Sequence, residues 1–303
     1  MKKSRRANYA DAKKQHRALA FFFTFVFSLI IFGSIAAAFL HFTFPSISEP
    51  GKGALNVQAD EKSYPISNSF TMIISVRPDF DSEPDELILY RLDAKSKRTV
   101  IMPIPLNLEI PVNGEKTSLS TIVKNNSVSE AAKSLSSAIS VKIDFTCDID
   151  EQNFLKIFDK LGGLYYSIPQ NISLKLTDNS EIKLYKSPRQ YLNGAKIYAL
   201  LAYPSYNGGD YERYQMQSEL TKEFIAEKLT EFNLRYNISG FAGIFNYVTT
   251  DFSINELIKR TDALIDLSTE KKIETLVPDF KNSPYNSSLV QFSDLKTIQK
   301  SFG

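Results

Sequence analysis

Three short apolar runs separated by proline and acidic residues mark the start of the folded part of the chain. They cover residues 71–76, 86–92 and 99–104. Runs of this length between turn-forming residues are typical of buried strands. Apolar residues at helical spacing follow over 129–139, and the pattern of 141–145 is again that of a strand. The chain beyond residue 70 is therefore predicted to begin with strands and then to alternate them with helices.

The next segment continues this alternation. Asp150 is the predicted N-cap of a helix through 153–160, because a short acidic side chain accepts hydrogen bonds from the first free N–H groups. Gly162 and Gly163 are predicted to end that helix. A strand is predicted over 164–168. Strands that alternate with helices of about ten residues predict an α/β fold.

A run without charged residues extends over 18–40, behind seven basic side chains. At about 1.5 Å of rise per residue, this run is long enough to cross a bilayer as a helix. Basic residues beside a span stay on the cytoplasmic side. We therefore predict a cytoplasmic segment 1–17 and a single transmembrane helix 18–41 in the cell membrane, with the remainder extracellular. A cleaved signal peptide is the alternative, since small residues occur at 34–38.

The remainder divides into three predicted parts. Residues 42–65 are rich in Pro, Ser, Gly and Lys and are predicted to be a stalk. Residues 66–280 are predicted to form one domain, and 281–303 a C-terminal tail. The predicted fold class is thus α/β: a single extracellular domain with a central mixed β-sheet flanked by helices, preceded by one N-terminal transmembrane helix.

Charge, cysteine and histidine narrow the classes of function. Seven of the 36 Lys and Arg residues and one of the 34 Asp and Glu residues precede position 18, so the remainder is acidic. An acidic domain argues against nucleic acid as a partner, which needs a positive surface. The single cysteine, Cys147, excludes an intramolecular disulfide and is predicted to be a small buried strand residue. Because His16 and His41 precede the domain, Ser-His chemistry and His-ligated zinc are excluded there.

A long helix is predicted over 211–232, with Asp210 as its N-cap and the loop 204–209 leading into it. The start of a helix offers free N–H groups and a positive dipole end, which suit an anionic phosphate. Arg213 in the first turn would add a cation to such a site. A surface ion pair of Arg213 with Glu212 or Asp210 is the alternative, and spacing alone favours it.

Several segments occur in the order and at the spacing of the LytR-CpsA-Psr family, which this chain resembles over about 70–278. They are Pro84-Asp85-Glu86-Leu87, Met102-Pro103-Ile104-Pro105, Leu161-Gly162-Gly163-Leu164, Leu192-Asn193-Gly194-Ala195, Gly208-Gly209-Asp210-Tyr211-Glu212-Arg213 with Gln217, and Thr249-Thr250-Asp251.

The resemblance implies a membrane-anchored extracellular domain of the bacterial cell envelope. Active members of the family transfer a glycopolymer from a polyprenyl pyrophosphate carrier to peptidoglycan. The resemblance also implies Mg²⁺ held by carboxylate, arginines that neutralise the phosphates, and an apolar tunnel for the lipid. In phosphoryl transfer, positioning and charge neutralisation dominate, and arginine suits bidentate contact with phosphate.

This chain departs from the family at the positions on which that chemistry depends. The family's Pro-Arg-Asp is Pro105-Leu106-Asn107, its Arg-x-Arg is Pro204-Ser205-Tyr206, and its Arg-Gln is Met216-Gln217. An early aspartate of the family falls at Arg77 in this chain. Asp79 or Asp81 could take its place after a small shift of the loop. At roughly 1.5–3 kcal/mol for each contact to a charged group, the lost arginines would remove most of the affinity for pyrophosphate.

The resemblance assigns roles to the residues that match family positions: Asp210 and Arg213 are the predicted catalytic residues, Arg213 and Gln217 bind the phosphate or lipid carrier, and Asp85 is a metal ligand. Lys116 and Arg91, which match no family position, are predicted as substitute cations that bind the phosphate or lipid carrier.

Three functional hypotheses follow. The favoured one is a degenerate, non-catalytic or weakly active member that binds polyprenyl-phosphate-linked glycan or peptidoglycan. The second is an active transferase whose pocket is rebuilt from other cations, namely Arg77, Arg91, Lys116 or Arg189. The third is an unrelated anchored receptor. A cluster formed by Tyr203, Tyr206, Tyr211 and Tyr214 is predicted to pack at a domain rim, with a glycan groove as the alternative.

Overall fold

The structure is a computed structural model that describes residues 68–112, 114–236, 238–270 and 272–303. The predicted cytoplasmic segment, transmembrane helix and stalk lie outside these residues. Within the described part of the chain, no helix combines the length and the apolar character needed to span a membrane.

Fourteen strands are present in the described residues. They are β1 Phe70–Arg77, β2 Glu86–Asp93, β3 Arg98–Pro103, β4 Glu109–Val112, β5 Glu115–Ser118, β6 Phe145–Asp150, β7 Leu164–Ile168, β8 Ile172–Lys175, β9 Glu181–Leu184, β10 Ser187–Leu192, β11 Thr249–Thr250, β12 Ile273–Thr275, β13 Phe280–Asn282 and β14 Val290–Phe292.

The helices alternate with these strands. They are α1 Leu119–Asn125, α2 Val128–Ile139, α3 Glu151–Lys160, α4 Gly194–Ala202, α5 Gly209–Lys228, α6 Glu231–Tyr236, α7 Ile238–Ala242, α8 Ile254–Glu270 and α9 Leu295–Phe302, with a 3₁₀ turn at Gly243–Tyr247.

Six strands form a central sheet in the order β11-β6-β1-β2-β3-β12. The β1–β6 and β3–β12 pairs are parallel and the other three pairs are antiparallel, so the sheet is mixed, as predicted. Both faces of its inner strands are buried. Successive residues point to opposite faces, and the apolar residues of each face belong to a different cluster. Ile73, Leu87 and Leu89 pack with α1, α2 and α9, whereas Ile88 and Tyr90 pack with residues of α8.

Local sequence signals explain several boundaries. Asp150 caps α3 as predicted, since its Oδ1 accepts from the Asn153 N–H at 2.7 Å. Cys147 is buried in β6, and burial raises the pKa of its thiol to about 12, which confirms a structural cysteine. The predicted strand 141–145 is wrong. Ser140 ends α2 in the left-handed conformation (φ 55°), and the chain reaches the sheet only at Phe145.

The start of the long helix also differs from the prediction. α5 begins at Gly209, whose φ of +69° turns the chain, and Gly208 occupies the N-cap position without a side-chain cap. Asp210 therefore lies inside the first turn, where its carboxylate faces the positive end of the helix dipole. The helix ends at Lys228 rather than at 232.

The segment predicted as a C-terminal tail is folded. It contains β14 and α9, and Phe292, Ile298 and Phe302 are buried in the cluster formed by Ile73 and Leu87. The domain therefore extends through the end of the described residues rather than stopping near residue 280.

Candidate functional site

The candidate site lies where β2 begins, and the charge of Arg213 in the first turn of α5 acts on it. The Asp85 N–H donates to the Val76 carbonyl at 2.8 Å, which fixes Asp85 at the end of the β1–β2 hairpin. Its carboxylate accepts a hydrogen bond from the Tyr198 hydroxyl of α4 at 2.5 Å. Burial raises the pKa of Asp85 to about 6, against the opposing effect of that hydrogen bond. The charge of Glu151 raises it further and that of Arg213 lowers it.

Glu86 adds a second buried carboxyl that the sequence did not predict. It is 2% exposed, and its Oε1 has no hydrogen-bond partner among the described residues. Burial raises the pKa of Glu86 well above its usual value. Arg213 opposes this shift and the charge of Asp85 reinforces it. An acidic residue at the first position of a strand usually faces solvent, so no sequence signal indicated this burial.

Arg213 is the cation of this site. Its side chain is 13% exposed, and its Nη1 lies 3.9 Å from the Asp210 Oδ1. Its Nε is buried and has no hydrogen-bond partner within the described part of the chain. A guanidinium keeps its charge when buried and needs an anionic or hydrogen-bonding partner. The ion pair with Asp210 that the spacing predicts is present, but it is long. The positive charge of Arg213 also acts on both Asp85 and Glu86.

The other predicted cations do not join this site. Lys116 pairs with Glu109 at 2.7 Å and lies 3.3 Å from the centre of the Tyr285 ring. Arg91 lies six positions along β2 from Asp85, which corresponds to about 20 Å at the rise of a strand. Arg189 pairs with Glu223.

Arg77 is also committed elsewhere. It forms a buried ion pair with Asp148 of β6, and its Nη1 donates to the Phe80 carbonyl at 2.7 Å. The four cations proposed to rebuild the pocket therefore have other partners, and Arg213 is the cation that influences Asp85 and Glu86.

Gln217 has a structural contact. It is 1% exposed, and its Nε2 donates to the Leu201 carbonyl at 3.2 Å, which joins α5 to the end of α4. The side chain is thus used between two helices and does not face an open cavity.

The positions of the replaced family residues are packed or bonded. Leu106 packs against the core and the Asn107 Nδ2 donates to the Ser288 carbonyl at 3.0 Å. Tyr206 is buried and its hydroxyl donates to the Leu200 carbonyl at 2.6 Å. Tyr214 is buried as well, whereas Tyr211 is exposed. The tyrosine cluster therefore mainly packs the domain, in agreement with the first of its two interpretations.

Magnesium held by Asp85 stays a prediction, since phosphate and water oxygens would supply its other ligands. Asp85 is one carboxylate, it already accepts a hydrogen bond, and a guanidinium acts on it. Magnesium binds through carboxylate, water and phosphate oxygens in octahedral geometry. Among the described residues, no group of three or more Asp, Glu, His or Cys side chains could hold a metal ion.

Comparison with known proteins gives a family and a fold. The model of the LytR_cpsA_psr family matches residues 77–302. The Bacillus subtilis protein named polyisoprenyl-teichoic acid–peptidoglycan teichoic acid transferase TagV is 23% identical over 200 residues, which are 63% of this chain and 50% of TagV. An uncharacterised Staphylococcus aureus protein is 25% identical over 170 residues, 56% of this chain and 41% of that protein. The chain thus spans about half the length of the curated relatives it matches.

A solved structure agrees with this result. The crystal structure of B. subtilis TagV superposes with a TM-score of 0.64 at 20% identity and covers 77% of this chain and 95% of the crystallised chain. At this identity the likeness shows the shared fold. The family match overturns the hypothesis of an unrelated receptor, since the matched region includes β2, α5 and the Asp85–Arg213 site. This chain is a member of the LytR_cpsA_psr family.

Proposed function

We propose that this protein is a membrane-anchored, extracellular cell-envelope protein that binds polyprenyl-phosphate-linked glycan or envelope polymer and has little or no transferase activity. The family supports the ligand class, and the name of TagV supports teichoic acid and peptidoglycan as the relevant polymers. The charge-free run over 18–40 with its basic flank supports the anchor and the orientation.

The observation that carries the proposal is the charge balance of the site. The charge of Arg213 acts on two buried carboxyls, Asp85 and Glu86. The other candidate cations have partners elsewhere. Transfer of a phosphoryl group requires several positive charges around the phosphates. One arginine can hold a phosphate through two hydrogen bonds, but it leaves most of the charge of a pyrophosphate unbalanced. Binding is therefore supported better than catalysis.

An active transferase is the second candidate, and one specific observation favours it. Asp85, Arg213 and Gln217 stand at positions that match the family motifs, and the charge of Arg213 also acts on the Glu86 carboxyl. If magnesium binds with the phosphate, Asp85 would hold it, and the metal would neutralise charge on the phosphate oxygens. Binding of the carrier would then depend on magnesium, whereas the favoured proposal requires no metal.

The test uses the full-length protein in nanodiscs of zwitterionic lipid, with polyprenyl pyrophosphate as the probe, in the presence and absence of Mg²⁺. We expect metal-independent binding that Arg213→Gln weakens about tenfold, because a charge-assisted hydrogen bond is lost. Arg189→Gln is the matched control, since Arg189 is an exposed arginine paired with Glu223.

The same preparations would be incubated with a lipid-linked teichoic acid precursor and peptidoglycan. Magnesium-dependent binding together with polymer attached to peptidoglycan would establish the transferase instead. Wild-type protein that binds no polyprenyl pyrophosphate under either condition would exclude the lipid carrier as the ligand.

A further inference from the structure

Two helices, α6 and α8, carry large apolar side chains on their outer faces. They are Phe232 and Tyr236 of α6 and Ile254 and Ile258 of α8, which are between 40% and 76% exposed. Within each helix the two positions are four residues apart, so both side chains lie on one face. The ring centroids of Phe232 and Tyr236 are 5.5 Å apart. We call these four residues the Phe232 face.

The outer faces of α6 and α8 adjoin. Beneath them, leucines of both helices belong to the same buried cluster. On the outside, the hydrogen bond with Glu231 raises the pKa of Arg235, and the charge of Asp262 raises it further. Arg235 directly precedes Tyr236, and Asp262 follows Ile258 by one helical turn. The Phe232 face is therefore one continuous surface across the two helices rather than two separate patches.

The described chain begins against α8. The Asn68 carbonyl accepts a hydrogen bond from the Arg260 Nε at 3.1 Å. Arg260 is two positions from Ile258, which corresponds to about 3 Å along the axis of a helix. The predicted stalk 42–65 precedes this point, and its 24 residues reach about 80 Å when extended. The predicted anchor thus leads into the domain beside the helix that carries half of the Phe232 face, and its stalk is long enough for the face to reach the bilayer.

The charged side chains beside the face are arranged in pairs. Arg235 pairs with Glu231 at 2.8 Å, and Lys259 pairs with Glu256 at 3.4 Å. These groups leave little net charge beside the face, so a strongly charged partner would meet no complementary charge there. A zwitterionic lipid surface suits the face, because a tyrosine ring is amphipathic and long basic side chains reach from an apolar layer to water.

We propose that the Phe232 face docks on the outer surface of the bilayer, with its apolar side chains among the lipid headgroups and upper acyl chains. The proposal rests on the membrane anchor of the proposed function. An anchored domain meets the bilayer at a high effective concentration, so four apolar side chains are enough to hold a preferred orientation. A second copy of the chain fits less well, because a stable interface takes about 20–30 residues a side.

Lipid-quenched fluorescence of the full-length protein tests the docking, with one copy in each zwitterionic nanodisc. Tyr236→Cys and Ile258→Cys each provide a thiol for an environment-sensitive fluorophore. The buried Cys147, whose thiol pKa is about 12, does not compete for the label. Tyr285→Cys and Tyr185→Cys are the matched controls, since both tyrosines are exposed and lie outside α6 and α8.

The quencher is a lipid with a doxyl group on its upper acyl chain. It should reduce the emission of the labels at positions 236 and 258 by about half or more, because an interfacial helix face enters the bilayer by roughly 5–10 Å. The labels at positions 185 and 285 should lose little emission.

A second set of variants removes the apolar contact itself. Phe232→Ser combined with Ile254→Ser should reduce the quenching at position 258 about twofold or more, because less apolar surface is buried in the bilayer. Tyr285→Ser is the matched control and should leave that quenching unchanged. All three replaced side chains are exposed, so we expect the variants to fold.

Three results would overturn the proposal. They are equal quenching at the four labelled positions, no quenching at positions 236 and 258, and unchanged quenching after Phe232→Ser with Ile254→Ser. Nanodiscs that hold two copies test the other occupant. Emission at positions 236 and 258 that changes only in those discs, without lipid quenching, would identify a second copy of this chain on the face and reject the bilayer.

Failure of the docking and failure of the proposed function are distinguishable. Extraction of the full-length protein from vesicles by alkaline carbonate measures the anchor, and titration with polyprenyl pyrophosphate measures the ligand. A retained anchor without quenching at position 258 would reject the docking alone. If carbonate releases the protein, the labelled variants are mixed with preformed zwitterionic vesicles. Quenching there would support the face without an anchor, and its absence would overturn the proposal.

Discussion

The two ends of strand β2 differ in how their charged groups are paired. At its start, the carboxyls of Asp85 and Glu86 are buried, and the charge of Arg213 acts on both. Near its other end, each cation has a partner of its own: Arg91 donates to the Gly303 oxygen, Lys142 pairs with Asp144, and Arg260 pairs with Glu256. Family resemblance locates phosphate binding at the start of the strand, where two acids share one cation. A shared fold therefore does not by itself determine whether an anion binds, because replaced side chains change the local charge.

The largest expected effect concerns Arg77, which lies near the start of β2 but pairs with Asp148. Arg77→Met should lower the free energy of unfolding by about 3–5 kcal/mol, because it leaves the buried Asp148 carboxylate without a partner. The double variant Arg77→Met with Asp148→Leu should recover most of that loss. Denaturant unfolding of the folded proteins measures both.

This result would show that Arg77 stabilises the fold and is not a phosphate ligand. A single variant with near wild-type stability but weakened pyrophosphate binding would instead add a second cation to the start of β2.

The second prediction restores family charges at the start of the strand. Leu106→Arg combined with Asn107→Asp should increase the affinity for pyrophosphate about tenfold or more, since a new guanidinium can contact phosphate bidentately. Stability should fall, because Leu106 packs on the core and Asn107 bonds the Ser288 carbonyl. Leu106→Lys with Asn107→Asp is the matched control and should gain less, because lysine lacks the fork. Unchanged affinity in both double variants would mean that charge at position 106 does not reach the Arg213 site.

The third prediction concerns pH. The pKa of Asp85 is about 6 in the folded protein and 3.8 ordinarily, so the folded state binds more protons between these values. The free energy of unfolding should therefore fall as pH rises from about 4 to about 6. Asp85→Asn removes the buried negative charge and keeps a side-chain oxygen that accepts the hydrogen bond of the Tyr198 hydroxyl. It should stabilise the protein by about 1–2 kcal/mol near pH 8 and have little effect near pH 4.

Urea unfolding at both pH values measures the difference, with Asp81→Asn as an exposed control. Equal effects of Asp85→Asn at the two values would show that Asp85 is not desolvated, which would weaken the charge contrast between the ends of β2.

The sequence was informative where the signal is local. The caps and apolar runs predicted β1, β2, β3 and α3 closely, because a buried strand or a capped helix depends on neighbouring residues. The predicted 86–92 strand also contained the information that separates Arg91 from Asp85, since six strand positions span about 20 Å. The prediction of Arg91 as a substitute cation for the site of Asp85 overlooked that distance.

Other features depend on tertiary contacts and could not be predicted. Glu86 is buried only in the packed domain, and the partner of Arg77 lies on a parallel strand 71 residues away. The helix α9 did carry a local signal, because Asp294 caps it and Leu295, Ile298 and Phe302 lie at helical spacing. The prediction of a C-terminal tail overlooked that signal.

The smallest expected effect concerns Arg189, whose guanidinium is exposed and paired with Glu223. Arg189→Gln should change the free energy of unfolding by less than about 0.5 kcal/mol, because exposed ion pairs contribute little. It should also leave pyrophosphate binding unchanged, as measured by titration with polyprenyl pyrophosphate at two salt concentrations. The charge arrangement at the start of β2 requires this result, since binding there depends on one guanidinium with defined surroundings. If removing one distant, solvated charge weakened binding as much as Arg213→Gln does, the net charge of the domain would govern anion binding, and the contrast between the two ends of β2 would have no functional meaning.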